Sequence, residues 1–113
     1  MSSHYTIKKN PSAAQPYHFV LVAENGKIIL TSETYVDKQG AKTGIASCQV
    51  NSPHDDNYER KKSDALQPYS FVLKAANFKV IGRSENYADA TGRDNGIESV
   101  KRNGPTTVIH DDA

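Results

Sequence analysis

Residues 15–53 and 67–105 align without a gap at an offset of 52 and are identical at 20 of 39 positions. A duplication this regular means that one supersecondary unit is used twice, and that neither copy has to bury its apolar face alone. The similarity reaches upstream in weaker form. Tyr5-Thr6-Ile7-Lys8-Lys9 precedes the first copy as Tyr58-Glu59-Arg60-Lys61-Lys62 precedes the second. The chain divides into repeats at 1–56 and 57–113, with Asn51 to Asn57 as the link, and the two halves are expected to share one core.

Within a copy, Tyr17 to Ala23 alternates Phe19, Leu21 and Ala23 with His18, Val20 and Val22. Phe71, Leu73 and Ala75 repeat the first set, while Ser70 and Lys74 fall in the other. A period of two with one polar face predicts a half-buried strand. Asn25-Gly26 then suits a tight hairpin with positive φ at both central residues. Asn77-Phe78 replaces it in the second copy, and a side chain as large as Phe78 is unfavourable at positive φ, so a different or wider turn is expected there. Lys27 to Ser32 and Lys79 to Ser84 are the returning strands.

A helix follows in each copy. Asp37 and Asp89 are candidate N-caps, able to accept from free amides of the first turn. Ala41, Ile45 and Cys48 lie on one helical face, and Ile97 and Val100 repeat the last two. Asn51-Ser52-Pro53 and Asn103-Gly104-Pro105 combine residues tolerant of a left-handed conformation with a proline stop. Gly44 and Gly96 each cost a helix about 1 kcal/mol relative to alanine. Their repetition beside an isoleucine implies close backbone approach to the sheet, so that Gly96→Val should lower the melting temperature by several degrees. The β-branched Thr106 to His110 segment reads as a closing strand. The predicted class is α+β. It is a tandem duplication of a β-β-β-α unit plus a closing strand, a mainly antiparallel sheet with two helices on one face, and a monomer with pseudo-twofold symmetry.

The run Ser-Glu-x-Tyr followed by Gly-Ile-x-Ser is present twice. The first copy is Ser32, Glu33, Tyr35, Gly44, Ile45 and Ser47, and the second is Ser84, Glu85, Tyr87, Gly96, Ile97 and Ser99. With Phe-x-Leu and a hairpin before it, this pattern resembles the YegP-like proteins of bacteria, an uncharacterised group (UPF0339, a domain of unknown function). The resemblance covers nearly the whole chain and implies a tandem-repeat member whose paired units build one continuous sheet. Phe78 and Cys48 depart from it, where a small turn residue and valine are usual. It implies a fold and brings no established function and no catalytic residues.

Charge and composition narrow the function classes. The first half has five basic and five acidic residues and the second nine and eight, without the surplus of a protein held mainly by phosphates. The single cysteine excludes an intramolecular disulfide. No apolar run reaches the ~18 residues that cross a bilayer, and Met1-Ser2-Ser3-His4 lacks the apolar stretch of a secretion signal. A soluble cytoplasmic protein with no membrane association is expected.

Ser32, Glu33, Tyr35 and Ser84, Glu85, Tyr87 are the ligand or partner candidates, placed where a strand hands over to a helix. The competing reading is architectural: Ser and Glu stabilise the turn while Tyr packs on the sheet. Arg60, Lys61, Lys62, Arg93, Lys101 and Arg102, with Tyr58 nearby, are the candidates for nucleic acid, held by charge and stacking. His54-Asp55-Asp56 and His110-Asp111-Asp112 fall in a linker and a tail and read as solvated charge, so no metal site is assigned. Cys48 aligns with Val100 on the apolar helix face and reads as a buried thiol. No phosphate loop, hydrolase motif or cofactor signature is present, and nothing supports catalysis. The sequence therefore favours a non-enzymatic interaction module with a protein partner, with nucleic-acid binding through the second half as the alternative.

Overall fold

The structure is a computed structural model that describes residues 2–113. Among these residues the first half contributes β1 (His4–Lys9), β2 (Tyr17–Val22), β3 (Ile28–Ser32) and α1 (Lys38–Asn51). A short 3-10 turn, Asp55–Asn57, leads into β4 (Tyr58–Lys62), β5 (Tyr69–Lys74), β6 (Val80–Arg83) and α2 (Ala90–Asn103), and β7 (Ile109–Asp111) closes the chain's order of elements. The strands form one seven-stranded sheet in the order β4-β5-β6-β3-β2-β1-β7. All pairings are antiparallel except that of β1 with β7, which is parallel. This is the α+β class read from the sequence.

The halves join where β3 meets β6, with Thr31 opposite Arg83. Those two residues are equivalent in the repeat, so the pseudo-twofold axis runs between them. Gly82 makes the junction possible, because a Cβ there would lie 2.9 Å from the Thr31 carbonyl and 3.0 Å from Leu30 Cγ. Leu30, its counterpart in the first half, fills the space that Gly82 leaves.

Phe19, Leu21, Phe71 and Leu73 are fully buried, as their alternation requires, and pack with Ala41, Ile45, Cys48, Ile97 and Val100 of the helices. Val20 and Val72 are also nearly buried, although they belong to the other set. Val20 stands in register between Thr6 and Thr31, on strands deep inside a wide sheet. The half-buried expectation therefore fails at these two positions, on strands that are paired on both sides.

Asp37 and Asp89 cap the helices as expected, each accepting from the third amide, Gly40 and Gly92, at 2.7 Å. The helix ends differ from expectation. Ser52 and Gly104 are both right-handed, at φ −61° and −57°. Gly104 is there for room: a Cβ would overlap the Ser52 side chain of the other helix. The terminal carbonyls are satisfied across the axis. The hydroxyl of Tyr58 donates to Ser52 O at 2.6 Å, and that of Tyr5 donates to Gly104 O at 2.6 Å. Each half's first strand thus caps the other half's helix, closing orphan carbonyls that a helix end leaves open.

The two hairpin turns also differ from expectation, because they are the same turn. The amide at Gly26 or Phe78 donates to Ala23 O or Ala75 O at 2.9 Å, and Asn25 or Asn77 accepts from the amide of Lys27 or Lys79. Only the second residue of each pair has positive φ, 83° for Gly26 and 67° for Phe78. The asparagine bond and the closing strand pair hold the turn strongly enough to impose that conformation on a phenylalanine. The closing strand is shorter and later than Thr106 to His110, because Thr106 is engaged earlier: its carbonyl accepts from Gln49 Nε2 at 2.8 Å and its hydroxyl donates to Ser3 O at 3.0 Å.

Candidate functional site

The Ser-Glu-x-Tyr runs sit at the handover from β3 to α1 and from β6 to α2. Ser32 Oγ accepts from the Phe19 amide at 2.8 Å and donates to the Glu33 carbonyl at 2.7 Å. Ser84 repeats both bonds, with Phe71 at 2.9 Å and Glu85 at 2.7 Å. Both hydroxyls are fully engaged in closing the irregular strand end. Tyr35 pairs its backbone with Tyr17, and Tyr87 pairs with Tyr69. Their rings stack on Phe19 and Phe71, with interplanar angles of 13° and 9°. Glu33 reaches Arg83 Nη2 at 2.8 Å across the junction of the halves, whereas Glu85 is exposed without an ion pair among the described residues.

The repeated glycines owe their identity to these rings. A Cβ on Gly44 would overlap the Tyr35 hydroxyl and lie 3.0 Å from Phe19 Cε2, and one on Gly96 would meet Tyr87 and Phe71 in the same way. The close approach inferred from sequence is real, but its partner is the motif tyrosine rather than the sheet backbone.

Tyr35 also lines a cleft of about 500 Å³ between α1 and the β5–β6 hairpin. Gly44 and Ser47 form one wall, and Lys79, Val80 and Ile81 form the other, so both halves contribute. Burial pushes the Tyr35 hydroxyl above the usual tyrosine range, so it is a neutral donor at physiological pH. On the other side of the same hairpin a second cleft of about 430 Å³ is lined by Tyr58, Glu59, Lys74, Ala76 and Phe78. Phe78 is 82% exposed at the turn between them. The sequence flagged this residue only as awkward for a turn. The two clefts had no sequence signal, because their walls come from segments far apart in the chain.

Arg60, Arg93 and Lys101 are brought together around acids, whereas Arg102 lies by the Ala23 to Asn25 turn of the first half. Arg60 pairs with Asp55 at 3.1 Å and Asp94 at 3.5 Å, Lys101 pairs with Asp55 at 2.7 Å and Glu98 at 2.9 Å, and Arg93 pairs with Asp94 at 3.1 Å. These bonds from Lys101 and Arg60 hold the Asp55 carboxyl below the usual carboxylate range. Arg93 also lies over the Tyr69 ring at 5.3 Å, and Lys62 lies 5.4 Å from the same ring. Lys61, Lys62 and Arg102 carry no ion pair among the described residues. The patch is a mosaic of both signs rather than a positive track.

Cys48 is buried against Tyr5, and burial pushes its thiol up to about 11, which leaves it protonated and unreactive. The described residues contain no cluster of three or more His, Cys, Asp or Glu suited to a metal ion. No helix among them is long and apolar enough to cross a membrane.

Comparison with known proteins agrees with this architecture. The family model "Domain of unknown function (DUF1508)" matches twice, over residues 12–59 and 66–111. The UPF0339 protein YegP of Yersinia pestis is 53% identical over 108 residues, covering 96% of this chain and 94% of that protein. YegP of Escherichia coli strain K12 is 46% identical over 111 residues, covering 98% of each. The solution NMR structure of a UPF0339 protein from Shewanella oneidensis superposes with a TM-score of 0.87 at 48% identity, covering 98% of this chain and 92% of that one. The solution NMR structure of the E. coli yegP protein, of unknown function, gives 0.88 at 44% identity, covering 99% and 94%. With the motif repeated, the sheet shared and the relatives matched from end to end, this chain belongs to the UPF0339 YegP-like family, as a tandem DUF1508 protein.

Proposed function

We propose that the chain is a non-enzymatic interaction module that holds a protein partner at the β5–β6 tip. The observation that carries this reading is Phe78. It stands at φ 67° and is 82% exposed, while the equivalent position of the other repeat is Gly26. A non-glycine residue held left-handed costs about 1 kcal/mol or more, and an exposed ring returns nothing in packing. Strain of this kind persists at contact sites, and aromatic side chains are the common anchors of protein interfaces. The clefts on either side of the tip can receive side chains of the partner, with Tyr35 at the floor of one. Ser32 and Ser84 act as architectural residues in this reading, and Glu33 and Glu85 line neither cleft.

Nucleic acid is the weaker reading, because the acids interleaved with Arg60, Arg93 and Lys101 oppose the phosphate contacts on which such binding depends. A pull-down from native lysate, with and without nuclease, compares the natural chain with Phe78→Gly. The glycine variant is expected to be more stable by about 1 kcal/mol, roughly 4 °C in melting temperature. It should nevertheless retain about tenfold less of a nuclease-resistant partner. Capture that disappears with nuclease, or that is indifferent to Phe78→Gly, would remove this reading.

A further inference from the structure

The chain contains three Asn-Gly pairs, Asn25-Gly26, Asn95-Gly96 and Asn103-Gly104. Glycine has no Cβ to shield its amide nitrogen, which can therefore reach the preceding carboxamide and close a five-membered ring on it. The fold treats the three pairs differently. Asn95-Gly96 lies inside α2, where Gly96 is buried and its amide belongs to the helix. Asn103 is 4% exposed and its Nδ2 donates to Ser99 O at 2.8 Å, while the Gly104 amide donates to Val100 O at 2.8 Å. Ring closure at either pair requires α2 to unwind.

Asn25 and Gly26 are both exposed at the tip of the β2–β3 hairpin. A Cβ on Gly26 would meet no atom within 4 Å, so no neighbouring segment covers the glycine. Its amide is held by one bond, to Ala23 O at 2.9 Å, which rotation of a single exposed peptide releases. The Lys27 amide donates to Asn25 Oδ1 at 3.0 Å. Negative charge develops on that oxygen during attack, and a donor already aimed at it favours the reaction. The equivalent turn of the second repeat makes the same two bonds, but Phe78 stands in the glycine's place and its side chain shields the amide.

We propose that Asn25 is a self-modifying site, deamidated by attack of the Gly26 amide, and that the folded chain confines this modification to the hairpin of the first repeat. Water or hydroxide takes the Gly26 amide proton, and the nitrogen bonds to Asn25 Cγ. The Cγ–Nδ2 bond breaks and ammonia leaves with the proton. One water then opens the succinimide. Cleavage of the new Cγ–N bond gives aspartate, and cleavage of the original main-chain bond to the Gly26 nitrogen gives isoaspartate. Either product lowers the formal net charge of +1 by one and puts a carboxylate at the hollow that Asn25 and Arg102 line together. Isoaspartate also adds a main-chain carbon inside the turn, which displaces the Gly26 amide from Ala23 O. This inference does not depend on a partner at the β5–β6 tip.

Folded and guanidinium-unfolded natural chains are incubated side by side at mildly alkaline pH. Peptide mapping by mass spectrometry, with aspartate and isoaspartate standards, then follows each asparagine. In the unfolded chain the three pairs should convert at similar rates. In the folded chain Asn25 is expected to convert within roughly tenfold of its unfolded rate, while Asn95 and Asn103 are protected far more strongly by α2. Gly26→Phe should slow conversion at Asn25 by about tenfold or more, and Phe78→Gly should make Asn77 a second reactive site. Protection of Asn25 equal to that of Asn95 and Asn103, an unchanged rate in Gly26→Phe, or an Asn77 that stays intact in Phe78→Gly would overturn the inference.

Discussion

Serine at position 104 is expected to cost more than about 3 kcal/mol and to lower the melting temperature by roughly 12 °C, or to prevent folding. Gly104 and Ser52 are both buried, at equivalent positions on α2 and α1, and meet near the pseudo-twofold axis. A Cβ on residue 104 would overlap the Ser52 side chain and lie 2.9 Å from Val100 O. The overlap cannot relax by a simple shift, because both backbones are fixed by tyrosine hydroxyls at 2.6 Å from the opposite half. Burial raises the pKa of Tyr5 and of Tyr58 above the usual range, so both remain donors across the working pH range. Thermal melting of Gly104→Ser beside the natural chain checks the expectation.

The second large effect is a change of sign. Gly44→Ala is expected to destabilise the natural chain by about 1–2 kcal/mol: overpacking against Tyr35 and Phe19 exceeds the ~1 kcal/mol that alanine adds to a helix. In a Tyr35→Ala background the overlap with the tyrosine is gone, Phe19 can give the few tenths of an ångström still needed by moving into the space its stacking partner leaves, and the same substitution should stabilise by about 1 kcal/mol. The interaction energy of the cycle is then roughly 2–3 kcal/mol, far above the few tenths seen between independent sites. Urea denaturation of the four proteins measures it, and strict additivity would mean that the ring does not rest on the glycine.

Much of the fold was legible because duplication turns weak local signals into paired ones. Asp37 and Asp89 could be read as caps since an aspartate before an amphipathic run has a local use, and the structure gives both the same bond. Gly104 was misread for the opposite reason. Glycine after a helix commonly marks a left-handed residue, but here the requirement is distance to Ser52, which no local pattern contains. Phe78 was misread because propensity assigns the turn to its residues, whereas the register of β5 and β6 and the Asn77 bond determine it. The architectural roles of Ser32 and Ser84 were among the readings of the sequence. The cleft over Tyr35 was not, since Val80 and Ile81 reach it only through the pairing of the two halves.

Everything proposed for this chain compares one half with the other, and the twofold relation between them has a direct test at positions 52 and 104. The Ser52→Gly/Gly104→Ser double variant moves one side chain across the axis into the twofold-related position, next to equivalent neighbours. Its melting temperature is expected to return to within roughly 4 °C of the natural chain, about 1 kcal/mol, although Gly104→Ser alone is severely destabilised. A double variant as unstable as Gly104→Ser would mean that the two helix ends do not meet as equivalent partners.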